Sequence, residues 1–193
     1  RLGDFYEMFF DDAIIASKEL EIALTQRDAG NNLKAPMCGV PYHVSDVYIS
    51  KLVKKGYKVA ICEQLEDPST AKGLVERDVI RVVTPGTITD TNVLDEKSNN
   101  FLASIYMDSW GAGISYVDSS TGEMYTTEVL IKDERIIYDF VLDELGKISP
   151  SEIICNSDFL KNKKILKTIK NRINPYINSY DTKSIEEVDW EKN

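Results

Sequence analysis

An α/β chain is predicted, with a mixed-sheet domain followed by a second domain that opens on an antiparallel meander. Three observations carry this. The hydrophobic period switches repeatedly between that of a helix and that of a strand. A polar stretch, Thr89 to Asn100, divides the chain. Beyond it, three β-rich segments follow one another before any helix begins. A length of 193 residues suits one or two domains.

Gly3 to Phe10 is apolar and aromatic, broken by Asp4 and Glu7, and reads as a strand running into a turn. Asp11 and Asp12 suit a helix N-terminus. Ala13, Ala16 and Leu20 have helical spacing. Leu20, Ile22 and Leu24 then alternate, which predicts a short helix feeding a strand, with Asp28 to Ala35 as a loop. Pro36 to Pro41 reads as extended. A helix follows, capped by Ser45, with Val44, Val47, Tyr48 and Leu52 on its apolar face and Gly56 as its stop. Val59 to Cys62 and Val79 to Val83 read as strands on either side of a loop at Asp67 to Gly73, and Thr84 to Thr87 as a turn.

In the second part, Phe101 to Met107, Ala112 to Val117 and Met124 to Leu130 read as strands. Lys132 to Leu145 is a helix with Ile136, Ile137, Phe140, Val141 and Leu145 inward. Ser151 to Cys155 is a strand and Asp158 to Ile173 a helix, and Tyr176 to Tyr180 suits a last strand. The order β-β-β-α-β-α-β resembles the ribonuclease-H-like fold. The domains are therefore expected at 1–90 and 101–193, joined by a linker at 91–100.

Hydrophobic residues make up 42% and charged residues 28%, which argues against wholesale disorder. No run approaches the ~20 apolar residues of a membrane span. The chain starts at Arg1 without Met or a leader-like run and leads straight into strand-like sequence, which reads as an excised piece. The net charge is −9, with 11 basic and 14 acidic residues through Asp90 and 12 and 18 beyond it. That balance weakens the case for an autonomous nucleic-acid binder but leaves room for a small contact patch in a larger assembly. Cys38, Cys62 and Cys155 are widely spaced and form no CxxC or Cys/His cluster. Zinc is not expected, and a reducing cytoplasm fits best. The lone His43 removes histidine-based triads.

No phosphate-cradling glycine loop and no GxSxG elbow occurs. A two-metal nuclease would need converging carboxylates. Asp108 and Asp118 lie at strand ends, with Asp139 and Asp143 on the following helix, but ordinary turn roles account for them as well. A strand over Gly3 to Phe9 puts Phe5, Glu7 and Phe9 on one side and Asp4, Tyr6 and Met8 on the other. Phe5 is then either core or a wedge that enters a base step, with Glu7 beside it to meet an exposed base edge. Glu7 near phosphates would be pushed toward protonation. The six basic residues Lys161, Lys163, Lys164, Lys167, Lys170 and Arg172 are either a phosphate-neutralising face or an ordinary solvated one.

Gly3 to Ala13 (GDFYEMFFDDA) closely resembles the mismatch-binding domain of the MutS family of DNA mismatch repair proteins, and Phe5-Tyr6-Glu7 matches its Phe-x-Glu motif. Pro36 to His43 (PMCGVPYH), Val59 to Glu63 (VAICE) and Val75 to Asp90 (VERDVIRVVTPGTITD) are similar to later family blocks in the same order. The resemblance is weaker past Asn100, where position and element order suit the connector domain. It implies a stacking wedge at Phe5 and a base-edge partner at Glu7. Arg27, at the end of the second strand, is either a weak phosphate contact or a solvated strand end, and Met37, within a family block, is a weak DNA contact. Cys38, Tyr42 and His43 would be structural, the last two fixing a turn and capping the following helix. It further implies mismatched double-stranded DNA as ligand, a MutL-type partner docking on the connector, and a homodimer in the full-length protein. ATP and magnesium would belong to an ATPase domain outside this chain, which itself would hold no cofactor, metal or catalytic residue. A cytoplasmic, nucleoid-associated location follows from the same resemblance. The other readings are a metal-dependent nuclease or a protein-docking scaffold in the second domain.

Overall fold

The structure is a computed structural model, and it describes residues 1–30, 33–66, 73, 75–88 and 99–180. Most of the loop expected at Asp67 to Gly73 and most of the linker expected at 91–100 lie outside the described residues. The chain forms two compact units, Arg1–Thr84 and Pro85–Asn193. Among the described residues no helix is long and apolar enough to cross a membrane.

The first unit runs β1 (Phe5–Phe9), α1 (Phe10–Leu20), β2 (Thr25–Asp28), β3 (Lys34–Pro41), a 3-10 turn (Tyr42–Val44), α2 (Ser45–Lys54), β4 (Val59–Gln64) and β5 (Arg77–Val83). Strands β1, β3 and β2 form one sheet in that order, and β4 and β5 form a separate ribbon. The described pairings here are all antiparallel; the mixed pairing expected for this domain is found in the second unit. The link between β2 and β3 is too short for the crossover of a dozen or more residues that a parallel pair needs. Across that link the Ala29 amide donates to the Leu33 carbonyl at 2.8 Å.

Leu20 to Leu24 is not a strand. Helix α1 continues to Leu20, which is buried, and ends at Glu21 in the left-handed region. The strand begins only at Thr25. At its other end α1 leaves β1 without a loop, through Phe10 at φ 54. Ala13, Ala16 and Leu20 of α1 pack on Cys38 and Val40 of β3 and Leu52 of α2, with Tyr6 and Met8 of β1 against them. Ser45 is the first residue of α2 rather than its cap, and Val44 and Val47 are exposed rather than apolar-face residues.

The second unit runs β6 (Phe101–Met107), β7 (Gly111–Asp118), β8 (Met124–Leu130), α3 (Glu134–Ile148), β9 (Glu152–Cys155), α4 (Ser157–Lys161), α5 (Lys163–Arg172) and β10 (Tyr176–Ser179). Its sheet has the order β10-β9-β6-β7-β8. The β6-β7-β8 pairings are antiparallel, and β9 is parallel to both β6 and β10. Asp133 caps α3 by accepting from the amides of Arg135 and Ile136. The single helix expected over Asp158 to Ile173 is two. Asn162 breaks it, because its side chain takes the Ile165 amide and starts a new helix. The core gathers Ile105, Ile114, Ile137, Val141, Leu145, Ile153, Phe159, Ile165 and Ile169. Ile136, expected inward, is exposed.

A buried polar seam ties this unit's opening segment to its sheet. The Gly86 amide donates to the Glu152 carboxylate at 3.0 Å, and Asn178 Nδ2 donates to the same group at 2.7 Å. Gly86 is glycine because a Cβ there would stand 2.9 Å from that of Glu152. Asn100 donates through Nδ2 to the Pro85 carbonyl at 2.9 Å and accepts from the Ser151 hydroxyl at 2.6 Å. Asp118 is only 2% exposed. It accepts from the hydroxyl and amide of Ser120 and from the Asn100 amide.

Those bonds, led by the Ser120 hydroxyl, hold the Asp118 carboxyl below the usual aspartate range despite its burial. The stabilisation is therefore complete above that range and is lost as pH falls through the lowered value. Asp118→Asn is expected to cost the second unit about 1–3 kcal/mol near neutrality, the penalty for buried partners left unpaired. The gap between variant and parent should begin to narrow below about pH 4 and close only below the lowered value. Denaturant unfolding at neutral and acid pH checks this; a gap of equal width at both would reject it.

Candidate nucleic-acid interface

Strand alternation sets the site. Tyr6 and Met8 face the helices and pack on the first unit's core, so Phe5, Glu7 and Phe9 fall on the opposite face of the sheet. Phe5 is 45% exposed, unusual for a phenylalanine with a core within reach on the other side of its own strand. The register pairs Phe5 with Pro41, Glu7 with Gly39 and Phe9 with Met37. On the far side of β3, Thr25 pairs with Met37 and Arg27 with Ala35. Phe5, Glu7, Arg27 and Met37 thus come to one face of one sheet.

The Arg27 guanidinium does not stand free. Nη1 donates to Glu7 Oε2 at 2.6 Å, from a side chain 49% exposed to one 16% exposed. Strands β1 and β2 flank β3, so this ion pair spans the middle strand and the two outer strands share one charge-neutral tie. Met37 lies between them along β3 and is partly buried.

The back of β1 is fixed as well. The Tyr6 hydroxyl donates to the Glu63 carboxylate. Desolvation first, then this bond, pushes the Tyr6 phenol up to about 12. The Arg1 guanidinium lies 3.7 Å from Glu63 and 3.9 Å from the centre of the Tyr42 ring. The Tyr42 amide donates to the Asp4 carbonyl at 2.9 Å, and the Ser45 hydroxyl donates to the Tyr42 carbonyl at 2.8 Å. Tyr42 and His43 form the 3-10 turn and lend no side-chain cap to α2, contrary to expectation. His43 is exposed, its ring edge-on to Tyr42.

Sequence reasoning missed two members of this arrangement. One is Glu63, whose part depends on a contact 57 residues away in the chain. The other is Gly39. The available signal was a glycine inside a strand, which marks close approach of a neighbour.

In the second unit, Asp108 and Asp118 do not converge on a common point through their oxygens. Asp108 Oδ1 accepts from the amides of Trp110 and Gly111, and Asp118 serves the Ser120 turn. Among the described residues no group of three or more His, Cys, Asp or Glu could hold a metal ion. The basic residues of α4 and α5 are exposed; Lys161 pairs with Asp158 at 2.6 Å, and Lys164 lies over the Tyr138 ring. An open groove of about 740 Å³ beyond the ends of β6 and β9 mixes Lys132, Lys161 and Lys163 with Asp108, Glu134 and Asp158.

The family model described as MutS domain I matches residues 1–92, and that described as MutS domain II matches residues 100–192. The DNA mismatch repair protein MutS of Caldanaerobacter subterraneus subsp. tengcongensis is 62% identical over 181 residues, 93% of this chain and 20% of that protein. The proteins of the same name from Acetivibrio thermocellus and Alkaliphilus oremlandii are each 55% identical, over 96% and 97% of the chain. The chain spans about a fifth of the length of these curated relatives. Among solved structures, a simian T-cell lymphotropic virus intasome in complex with PP2A regulatory subunit B56 gamma covers 47% of this chain and 40% of that one. Its TM-score of 0.32 and 11% identity carry no argument.

Proposed function

The chain belongs to the MutS family and carries its domains I and II, and from that premise we propose that it recognises mispaired DNA through the outer face of the β1-β3-β2 sheet. The observation that carries this is that the exposed Phe5 and the partly covered Glu7 share the face of β1 opposite the one anchored in the core. Phe5 is the wedge that stacks into a base step. Glu7 is the group that hydrogen-bonds the base it displaces. A mispaired step stacks poorly and kinks more readily than a matched one, so the wedge reads deformability rather than sequence. Arg27 contacts phosphate once it leaves Glu7, and Met37 adds an apolar contact behind them.

Domain II acts as a connector with a ribonuclease-H-like sheet. The antiparallel β6-β7-β8 run with β9 and β10 added in parallel supports that reading. It passes the state of the mismatch site on to the family's clamp and ATPase, which lie outside this chain, and it docks a MutL-type partner. ATP with magnesium, and pairing into a homodimer, belong to the full-length protein. This chain is a binding and coupling module of a cytoplasmic protein rather than an enzyme. The uses found for Asp108 and Asp118, each spent on groups of the chain around its own strand end, favour this over a nuclease.

The test is Glu7→Gln in the full-length protein. Removing the carboxylate takes one negative charge away from the phosphates and releases Arg27. Affinity for matched duplex is expected to hold or rise by up to about fivefold, the scale of one ~1 kcal/mol charge interaction near water. The preference for a mispair should narrow. Titration of matched and mispaired duplexes at one stated salt concentration measures both. Weaker matched binding by Glu7→Gln would reject the electrostatic account.

A further inference from the structure

We propose that Gly39 is a specificity-determining position of this interface, because its missing side chain keeps open the space in which Phe5 and Glu7 stand side by side. This inference rests on the reading of Phe5 and Glu7 given above. Gly39 is the register partner of Glu7, and Pro41, two residues on along the same face of β3, is that of Phe5. A Cβ on Gly39 would stand 3.3 Å from the Tyr6 carbonyl oxygen, 3.5 Å from Cγ of Glu7 and 3.7 Å from Cδ1 of Phe5. A methyl group would already crowd the Tyr6 carbonyl oxygen by a few tenths of an ångström and touch both side chains. Any branched side chain would displace Phe5 or Glu7.

Backbone conformation does not explain the glycine. Gly39 is not among the residues with positive φ, so an L-residue fits its backbone. Strand interiors disfavour glycine, which lacks a side chain to pack and loses more freedom on ordering. What remains is the close approach of its neighbours. The tie between Glu7 and Arg27 also crosses β3, and its root lies over Gly39. A side chain there would meet the Glu7 stem where it leaves β1 and would alter both partners of the proposed base contact together. Phe5 and Glu7 thereby act at a spacing that neither sets alone.

The experiment uses the full-length protein with Gly39→Ala, Gly39→Val and Phe5→Ala beside the parent. Three quantities are read: the thermal unfolding midpoint, the ratio of affinities for a duplex with one G·T mispair and its matched counterpart, and the mispair-dependent kink, followed by energy transfer between dyes on the duplex ends. Both Gly39 variants should remain folded, with an unfolding midpoint within about 8 °C of the parent's. The affinity ratio and the kink should fall in Gly39→Ala and be lost in Gly39→Val, as in Phe5→Ala. Full preference and a full kink in Gly39→Val, with both lost in Phe5→Ala, would overturn the inference and leave the wedge reading standing. Preference retained in Phe5→Ala would remove the wedge reading and this inference with it. A midpoint lowered by more than about 8 °C in Gly39→Ala, with the affinity ratio unchanged, would assign the position to stability instead, also overturning it.

Discussion

Phe5→Ala in the full-length protein is expected to erase the preference for a duplex carrying one G·T mispair over its matched counterpart while leaving the fold intact. A base stacked on an aromatic ring contributes about 1–3 kcal/mol by alanine substitution, so the affinity ratio should fall by roughly 5- to 150-fold. Stability should change by no more than about 0.5 kcal/mol, since the ring is substantially exposed and lies outside the packed cluster of its unit. Binding to both duplexes at one near-physiological salt concentration, with an unfolding curve for each protein, measures all of this. Equal preference in parent and variant would make Phe5 a bystander and remove the most specific residue of the functional reading.

The largest stability effect is expected at Phe159, which is fully buried at the centre of the second unit among Ile105, Ile165, Ile169 and their neighbours. Phe159→Ala removes a ring and leaves a cavity that the surrounding β-branched side chains, held in few rotamers, fill only partly. The expected cost is about 3–5 kcal/mol, a large share of the ~5–15 kcal/mol that holds a domain folded. Equilibrium denaturation followed by a probe in the second unit checks it. A cost under about 1 kcal/mol would mean that the helix pair closes over the gap, and that Asn162 acts as a hinge rather than a fixed break.

Much of the functional face was legible because strand periodicity is strict. Phe5, Glu7 and Phe9 alternate with Tyr6 and Met8, so the two faces separate once a strand is assumed; which face is core does not follow from the alternation, and Phe5 fits either role. The register could not be inferred either. That Glu7 faces Gly39, and that Arg27 reaches it across the middle strand, depends on strand order, and strand order leaves no local trace in the chain. The alternation of Leu20, Ile22 and Leu24 misled for a related reason. Leu20 closes the buried stripe of α1, and the chain reverses at Glu21 in a left-handed conformation that composition does not mark. At Asn162 the apolar spacing runs on through the break, so only the side chain's bond to a backbone amide distinguishes two helices from one. Arg27 was visible as a cation near a strand end, but its ion pair joins residues 20 apart in the chain and could not be read there.

The buried bond from the Gly86 amide to Glu152 makes that amide a clock. A solvent-facing turn would trade its hydrogen for deuterium almost at once. Gly86 donates to a carboxylate on β9, the strand between β6 and β10, so its hydrogen should persist until β9 itself opens. Its exchange rate should then track those of the buried amides in β9 rather than those of the loops around it. A single amide in the turn before the meander thereby reports on the opening of the sheet that follows it.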